Sequence, residues 1–344
     1  MKVGIAGVRG SGKTTVFNAL TGLAAETGYG GSRKVNLGAI KVPDERLDRL
    51  AEIEKPKKVT YAEITFADVP AGEGEQKIDP KSITDLREMD ALALVLRGFE
   101  NGVEPPRPLA ELNELVSEFI LNDMAIIEKR LDKIKKDLSQ AKEKELLERL
   151  YAWLETGKPL SKMSLSEEEK KGVKGFAFLS HKPVIAVLNV DDENAKKPVP
   201  PDLVKHACDE GLGLLALNGR LEMEICTLGP EEQAEFLSCM GIERSARDRF
   251  IREAFNLLDL IVFFTYGPTE CRTWPIKKGT TAVEAAAQIH SDIARGFIRA
   301  EIMRIEDYLV HQTEAKVKAA GGLKFEGKTY VIKDGDCCHI RFNV

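Results

Sequence analysis

The chain begins with an apolar segment that leads directly into a glycine-rich one. Residues Lys2–Ala6 have the composition of a short buried strand, and Val16, Phe17 and Leu20 recur at the spacing of one helix face. Between these elements, residues 7–14 read GVRGSGKT and fit the pattern G-x-x-x-x-G-K-[ST]. Glycines allow consecutive backbone N–H groups to curve around a polyphosphate, and the helix that follows directs its positive end to the same place. The start of the chain therefore predicts a phosphate-binding loop (P-loop) and the binding of a nucleoside triphosphate.

The side chains near this loop have separate predicted roles. Lys13 would reach the β- and γ-phosphates, which makes it the candidate catalytic residue, and the Thr14 hydroxyl would bind Mg²⁺. Asp68 ends an apolar run at 61–69, and an Asp at a strand end after a P-loop holds Mg²⁺ through water in such proteins. The loop residues predicted to contact the nucleotide are Arg9, Gly10, Ser11, Gly12, Lys13, Thr14 and Thr15. The alternatives are an ordinary glycine-rich turn and, for Asp68, a simple strand-end cap; the flanking pattern favours the nucleotide site.

Composition limits the class of protein. A chain of 344 residues is expected to form two or three domains, and 43% hydrophobic with 31% charged residues is typical of a soluble, folded protein. No run approaches the ~18 apolar residues of a membrane span, and the N-terminus lacks a signal-peptide pattern. The six cysteines show no C-x-x-C spacing, so we expect reduced thiols, no zinc site and a cytoplasmic protein. A net charge of −5 argues against a protein that coats nucleic acid but leaves a local RNA contact open.

Strand and helix patterns alternate in residues 1–103 and 173–259. This alternation predicts a doubly wound α/β nucleotide-binding domain. Two of its apolar strands, at 183–188 and 212–217, deliver polar residues at their carboxyl ends, where ligands bind in such folds. The nucleotide contacts predicted there are Asn189, Val190, Asp192, Asn218 and Gly219.

Residues 104–172 interrupt the alternation with charged helical sequence. The apolar residues of this insert step by four and three positions in turn, which is the pattern of a coiled-coil seam. They are Ile120, Met124, Ile127, Leu131, Ile134 and Leu138, and Leu147, Leu150, Tyr151 and Leu154 continue the pattern after a break. We therefore predict an inserted antiparallel helical hairpin, a shape that can serve as a docking arm. Its many Lys and Glu residues fit a solvated face better than a binding patch.

Residues 260–344 have a third sequence pattern, which differs from the α/β alternation and from the helical insert. Short strand candidates at 260–265, 273–276, 302–305, 330–332 and 338–344 accompany one helix at 282–293. This combination predicts a small α+β domain of the β-grasp type without a catalytic pattern. His290 is expected to pack in the helix or cap it.

Several segments beyond the P-loop carry a resemblance to a known family. They are residues 17–21 (FNALT), 43–53 (PDERLDRLAEI), 87–91 (REMDA), 182–192 and, in the tail, 279–300, 331–336 and 342–344. With the helical insert, they make the sequence similar to the YchF/Obg-like ATPase family of translation-factor-related P-loop NTPases over essentially the whole chain. The resemblance implies a Ras-like nucleotide domain, a coiled-coil arm and a C-terminal TGS domain. It also implies slow Mg²⁺-dependent hydrolysis of ATP, sometimes of GTP, and contact with the ribosome or its RNA through the arm and the TGS domain.

The sequence departs from the family pattern in the loops around the phosphates. The family's Asn-Val before Gly-Lys is Gly-Ser at positions 10 and 11, so no potassium dependence is carried over. The family's switch I Thr corresponds to Ser32, which keeps a hydroxyl and is predicted as a third metal ligand. The family's Asp-x-x-Gly becomes Asp68-Val-Pro-Ala, with the glycine displaced by one position. The residue directly after that glycine is Glu73 and not a Gln that would orient the attacking water; Glu73 or Glu75 could substitute.

The choice of base rests on the segment that begins at Asn189. Guanine recognition in Ras-like folds uses Asn-Lys-x-Asp, and this chain keeps Asn189 and Asp192 but has Val190 in place of the Lys. The ATP-preferring family tends to carry Glu at the last position, so Asp192 moves the chain toward guanine. The resemblance favours ATP, and GTP is the alternative.

These features predict a cytoplasmic switch that transfers the terminal phosphoryl group of ATP to water. Its conformational change would matter more than its turnover. Two other interpretations stay open. One is a scaffold that binds nucleotide without hydrolysing it, which the missing Gln favours; the other is a small-molecule kinase, which the Asn189-x-x-Asp192 pattern argues against.

Overall fold

The computed structural model describes residues 1–27, 35–72, 78–102, 104–135, 137–195 and 197–343. The chain divides into two compact units, Met1–Ile40 with Thr65–Leu257 and Lys41–Ile64 with Leu258–Val344. The strands are β1 (Lys2–Ala6), β2 (Asn36–Lys41), β3 (Lys58–Thr60), β4 (Glu63–Asp68), β5 (Ala91–Gly98), β6 (Val184–Val190), β7 (Gly213–Leu217), β8 (Leu260–Thr265), β9 (Glu270–Lys277), β10 (Phe297–Arg304), β11 (Lys324–Glu326) and β12 (Asp336–Phe342). The α-helices are α1 (Lys13–Thr21), α2 (Glu45–Glu54), α3 (Pro80–Arg87), α4 (Pro108–Ile134), α5 (Ala141–Glu155), α6 (Glu167–Val173), α7 (Pro201–Glu210), α8 (Gly219–Cys226), α9 (Pro230–Met240), α10 (Ala246–Leu257), α11 (Ala282–Ile289), α12 (Ser291–Arg295), α13 (Ile305–His311) and α14 (Glu314–Ala319).

The first sheet has the strand order β2-β4-β1-β5-β6-β7. Strand β1 pairs in parallel with β4 and β5, and the pairs β5–β6 and β6–β7 are also parallel. Strands β5 and β6 are buried along almost their whole length, as their continuous apolar sequences predict for strands covered on both faces. The predicted doubly wound α/β class is therefore confirmed. Parallel pairing also places the carboxyl ends of β1, β4, β6 and β7 at one edge of the sheet, where ligands bind in such folds.

Helix α4 has 27 residues and passes through two environments. In its first half, Leu112, Leu115 and Phe119 belong to the apolar cluster of the first sheet. Its second half packs along a seam with α5. That seam contains Ile120, Ile127, Ile134, Leu147, Leu150 and Leu154, with Met124, Leu131 and Tyr151 partly buried beside it. The side chain of Leu138 lies outside the described residues. The boundary predicted at residue 104 thus precedes a stretch of helix that is packed in the core of the sheet.

The second sheet has the order β11-β10-β12-β8-β9-β3. The pairs β10–β12 and β8–β9 are antiparallel, whereas β12–β8 and β3–β9 are parallel. Residues 41–64 were predicted to belong to the nucleotide domain, but in the structure they cluster with the C-terminal segment. They do so because β3 pairs with β9 and because Arg46, in α2, forms an ion pair of 2.7 Å with Asp334.

Two predicted elements of the tail differ in detail. The helix predicted at 282–293 is divided into α11 and α12 at His290, which has an extended backbone. The His290 Nδ1 accepts the backbone N–H of Asp292 at 3.1 Å, so this residue is the cap that was expected. The strand candidate at 330–332 contributes a single bridge, between Thr281 and Val331. Among the helices of the described residues, none has both the length and the apolar character needed to span a membrane.

Candidate functional site

The P-loop connects β1 to α1 and requires glycine at specific positions. Gly10 and Gly12 have φ angles of 80° and 84°, in the left-handed region that disfavours other residues. At Gly7 the constraint is space, because a Cβ atom there would lie 2.5 Å from the carbonyl oxygen of Val95. At Gly12 a Cβ atom would also overlap the side-chain amide of Asn189. The loop is therefore held close to β5 and to the end of β6.

Gly12→Ala is expected to destabilise the protein more than an ordinary left-handed glycine replacement. The left-handed backbone alone costs about 1–2 kcal/mol, and displacing Asn189 adds about 1–3 kcal/mol because its buried hydrogen bonds are lost. Gly211→Ala is the matched control, since Gly211 has φ 60° but a Cβ atom added to it would meet nothing within 4 Å. Urea unfolding of both variants measures the difference. Equal losses would show that Asn189 gives way without cost.

Lys13, the predicted catalytic residue, is folded back on its own loop. Its Nζ donates a hydrogen bond to the carbonyl oxygen of Val8 at 3.2 Å, and its side chain is largely buried. Burial lowers the pKa of Lys13 to about 8, and the charge of Asp68 acts in the opposite direction. The ammonium group is therefore poorly solvated, and an anionic ligand at the loop would stabilise its charged form.

Asp68 lies at the end of β4 and uses its two carboxylate oxygens differently. Its Oδ2 accepts from the Thr14 hydroxyl at 2.8 Å and from the Asn36 side-chain amide at 3.1 Å. Its Oδ1 is buried and has no hydrogen-bond partner among the described residues. Burial raises the pKa of the Asp68 carboxyl group, while the bonds from Thr14 and Asn36 and the charge of Lys13 oppose the rise. The site thus joins a hydroxyl and a carboxylate with a buried acceptor oxygen, which are oxygen ligands of the kind that Mg²⁺ binds.

Asn189, at the end of β6, connects two loops of the site. Its Nδ2 donates to the carbonyl oxygen of Ser11 at 3.0 Å, and its Oδ1 accepts the backbone N–H of Gly219 at 3.1 Å. The hydroxyl oxygen of Ser11 is buried and has no hydrogen-bond partner among the described residues. Asn189 therefore holds the P-loop against the loop that follows β7.

The predicted base-contact residues form a second connected group. The Asn218 side chain donates from Nδ2 to Asp192 Oδ1 at 2.6 Å and accepts the N–H of Leu221 at 3.1 Å, which caps α8. Val190 is partly buried against the apolar cluster of the sheet. The Asp192 carboxylate is consequently held toward the β7 loop by Asn218.

The structure brings most of the predicted site residues to this edge of the first sheet. Thr15 lies beside Gly219, since a Cβ atom on that glycine would meet Thr15 Cγ2 at 3.2 Å, and Arg9 is exposed on the loop. Ser32, Glu73 and Glu75 lie outside the described residues. Among the described residues, no group of three or more His, Cys, Asp or Glu side chains is placed to hold a metal ion. A cation here would therefore depend on one carboxylate, on hydroxyls and on the ligand itself.

Asn36 is a residue of this site that was not predicted from the sequence. The only available signal was its position at the first residue of β2, in a strand whose neighbour in the sheet is β4. An Asn at a strand start is a common turn residue, so the sequence did not distinguish this role.

Comparisons with known proteins cover both the tail and the whole chain. A family model named YchF-GTPase_C, described as "Protein of unknown function (DUF933)", matches residues 260–343. The chain is 35% identical over 366 aligned residues to the ribosome-binding ATPase YchF of Bacillus subtilis (strain 168), with 100% of both chains covered. It is also 35% identical to the ribosome-binding ATPase YchF of Haemophilus influenzae, with 100% of this chain and 99% of the relative covered.

Solved structures agree with these similarities. The structure of the Schizosaccharomyces pombe YchF GTPase superimposes with a TM-score of 0.85 and 28% identity, over 99% of this chain and 97% of that one. A GTP-binding protein from Pyrococcus horikoshii OT3 has the same fold, with a TM-score of 0.63, 20% identity and 100% of both chains covered. These findings confirm the resemblance inferred from the sequence.

Proposed function

This chain belongs to the YchF family, and we propose that it is a nucleotide-dependent switch that binds ATP, hydrolyses it slowly and associates with the ribosome. The family membership supports a P-loop NTP hydrolase, and the names of its bacterial relatives support both ATP and the ribosome as partners. A GTP-specific enzyme of the same fold is the main alternative, since a fungal relative is named a GTPase. A scaffold without hydrolysis is the other.

The observation that carries the proposal is the arrangement of Thr14 and Asp68. The hydroxyl of Thr14 bonds to one oxygen of Asp68 at 2.8 Å, and the other oxygen is buried without a partner among the described residues. An unpaired buried acceptor costs about 1–3 kcal/mol, so this oxygen is suited to a ligand that arrives with the nucleotide. Thr14, Asp68 and Ser32 would hold Mg²⁺, which when bound offsets the charge of the phosphate oxygens.

The chain's own groups would supply the remaining charge stabilisation. On binding, the phosphates would replace the Val8 carbonyl as the partner of Lys13 Nζ, and the backbone N–H groups of residues 10–15 would donate to the phosphate oxygens. Donors that are fixed in place before the reaction stabilise the charge on the transferred phosphoryl group without further reorganisation. Glu73 and Glu75 are the candidates for orienting the attacking water. We propose slow turnover because the family resemblance implies it and because Glu73, and not a Gln, directly follows Gly72.

We propose three modules for this function. The sequence predicts residues 1–103 and 173–259 as the nucleotide domain, 104–172 as the arm and 260–344 as a TGS domain, and we propose two changes to these bounds. The packing of Leu112, Leu115 and Phe119 supports a free arm that starts after Phe119, and the pairing of β3 with β9 supports grouping residues 41–64 with the TGS domain. The arm and the TGS domain would contact the ribosome, and the protein would act in the cytoplasm.

The experiment that tests this function measures phosphate release from ATP with and without ribosomes, beside nucleotide binding by a fluorescent analogue. We expect binding together with turnover well below the enzyme median of about 10 s⁻¹. Binding without any release, with or without ribosomes, would favour the scaffold. Absence of binding to both ATP and GTP would contradict the proposal as a whole.

Replacing residues 129–150 with a short Gly-Ser linker is expected to weaken ribosome association and to leave nucleotide affinity within a few-fold. The linker has a short gap to span, because Glu128 Oε1 and the Tyr151 hydroxyl are 2.5 Å apart across the two helices. Co-sedimentation with ribosomes and a nucleotide titration measure the two effects.

A longer replacement, of residues 111–156, is the comparison variant for the arm. It removes Leu112, Leu115 and Phe119 from the core of the sheet, together with the Glu111 carboxylate that accepts the Arg97 N–H at 2.8 Å. We expect this variant to lose nucleotide binding through misfolding. Unchanged sedimentation of the shorter variant with ribosomes would show that the tip of the arm is not a docking element.

A further inference from the structure

Among the described residues, side chains donate hydrogen bonds to only one of the two carboxylate oxygens of Asp68. Both of its side-chain donors, Thr14 Oγ1 and Asn36 Nδ2, bond to Oδ2, at 2.8 and 3.1 Å. The second oxygen, Oδ1, is buried without a partner among the described residues. A carboxylate can accept hydrogen bonds on both oxygens, so two donors on one oxygen fix the orientation of the group and keep the other oxygen available.

From this geometry we infer that Asn36 is a positioning residue for the proposed metal ligand Asp68, an inference that rests on the proposed function. Thr14 is itself a proposed metal ligand, so its hydroxyl has to serve the metal as well as Asp68. Asn36 is then the donor that holds the Asp68 carboxylate in place while Thr14 changes partner. It keeps Oδ1 directed to where the nucleotide-bound cation arrives.

The chemistry of the amide suits this task. An Asn side chain donates a hydrogen bond without adding charge. It therefore orients the carboxylate and leaves the electrostatic interaction between Asp68 and Lys13 unchanged. A Lys at this position would compete with the cation for Asp68, and an Asp would repel the carboxylate. The sheet fixes the position of Asn36 relative to Asp68, because β2 and β4 are neighbouring strands and Asn36 is the first residue of β2.

A purely architectural role is the competing explanation, in which the Asn36–Asp68 bond only fastens β2 to β4. The two explanations differ in one measurable quantity. A positioning role changes the Mg²⁺ dependence of nucleotide binding, whereas an architectural role changes the stability of the fold and leaves that dependence alone.

The test compares Asn36→Ala with the wild-type protein in binding a fluorescent ATP analogue, in EDTA and across a Mg²⁺ titration. We expect the affinity in EDTA to change less than about twofold and the Mg²⁺ concentration at half-maximal enhancement to rise about tenfold, the size expected for a lost hydrogen bond to a charged group. Asn36→Leu keeps the side-chain volume without the donor and is expected to behave in the same way, so it decides the question if the alanine variant does not fold.

Asn122→Ala is the matched control. Asn122 is also half-buried and donates one hydrogen bond from Nδ2, to the Glu118 carbonyl at 2.9 Å, but it lies in α4 and not in the nucleotide site. It should leave the Mg²⁺ midpoint unchanged. If the wild type binds nucleotide with Mg²⁺ dependence and both Asn36 variants keep its midpoint, the inference is wrong while the proposed function stands. If the wild type binds no nucleotide, the proposed function and this inference both fail.

Discussion

Lys13→Ala is expected to abolish tight triphosphate binding and to leave the fold intact. The Lys13 ammonium donates to the carbonyl oxygen of Val8, and burial lowers its pKa to about 8. Because the folded state solvates this charge poorly, its removal costs the fold little. The triphosphate would be the partner that stabilises the charge, so the loss appears in binding.

The magnitude follows from the removal of one partner of a buried charge pair. Such truncations cost about 2–5 kcal/mol, which corresponds to about 30- to 5,000-fold in affinity. A titration with a fluorescent nucleotide measures the loss, and circular dichroism with urea unfolding checks the fold.

Lys182→Ala is the matched control for this experiment. Lys182 is a half-buried lysine whose pKa is likewise lowered by burial, and its Nζ also donates to a backbone carbonyl, that of Met89. It lies before β6 and away from the P-loop, so its removal should leave nucleotide affinity within a few-fold. An unchanged dissociation constant for Lys13→Ala, or an equal loss for both variants, would contradict the assigned role of Lys13.

The P-loop and the α/β class could be predicted because their signals are local. Gly10 and Gly12 stand where the backbone is left-handed, and the lysine and threonine follow at the start of the helix. The unbroken apolar runs of β5 and β6 likewise reflect strands buried on both faces. Each of these features depends on a few neighbouring residues, so the sequence pattern carries it.

What the sequence did not predict depends on residues that are far apart along the chain. Asn36 and Asp68 are hydrogen-bonded although 32 positions separate them in the sequence, and the residues next to Asn36 give no signal of this contact. Phe119 continues the periodicity of a helix that becomes the arm, yet it packs in the core of the sheet. Helical periodicity identifies the apolar face of a helix, but not which of two cores that face enters.

The difference in affinity between ATP and GTP is also expected to be large. The structure adds an argument about this preference that the sequence alone did not give. Guanine recognition requires a carboxylate that accepts from the ring N–H and from the exocyclic amine, which occupies both oxygens. Here Asp192 Oδ1 already accepts from Asn218 Nδ2 at 2.6 Å, and Asn218 is in turn fixed as the cap of α8. Guanine would have to share Oδ1 with the Asn218 donor, which also fixes the orientation of the carboxylate, whereas adenine makes no such demand on Asp192.

We therefore expect ATP to bind more tightly than GTP, by about 5- to 150-fold, since a polar group that becomes buried on binding without a partner costs about 1–3 kcal/mol. Competition of ATP and GTP against one labelled analogue measures the preference. Asp192→Asn should then change ATP affinity little, and Asp191→Asn is the control within the same loop, because Asp191 accepts from the N–H and the side-chain amide of Asn194.

A GTP preference above about tenfold would overturn the choice of ATP. Asp192 would in that case be the discriminating residue, and Asp192→Asn would weaken GTP binding while leaving ATP binding unchanged.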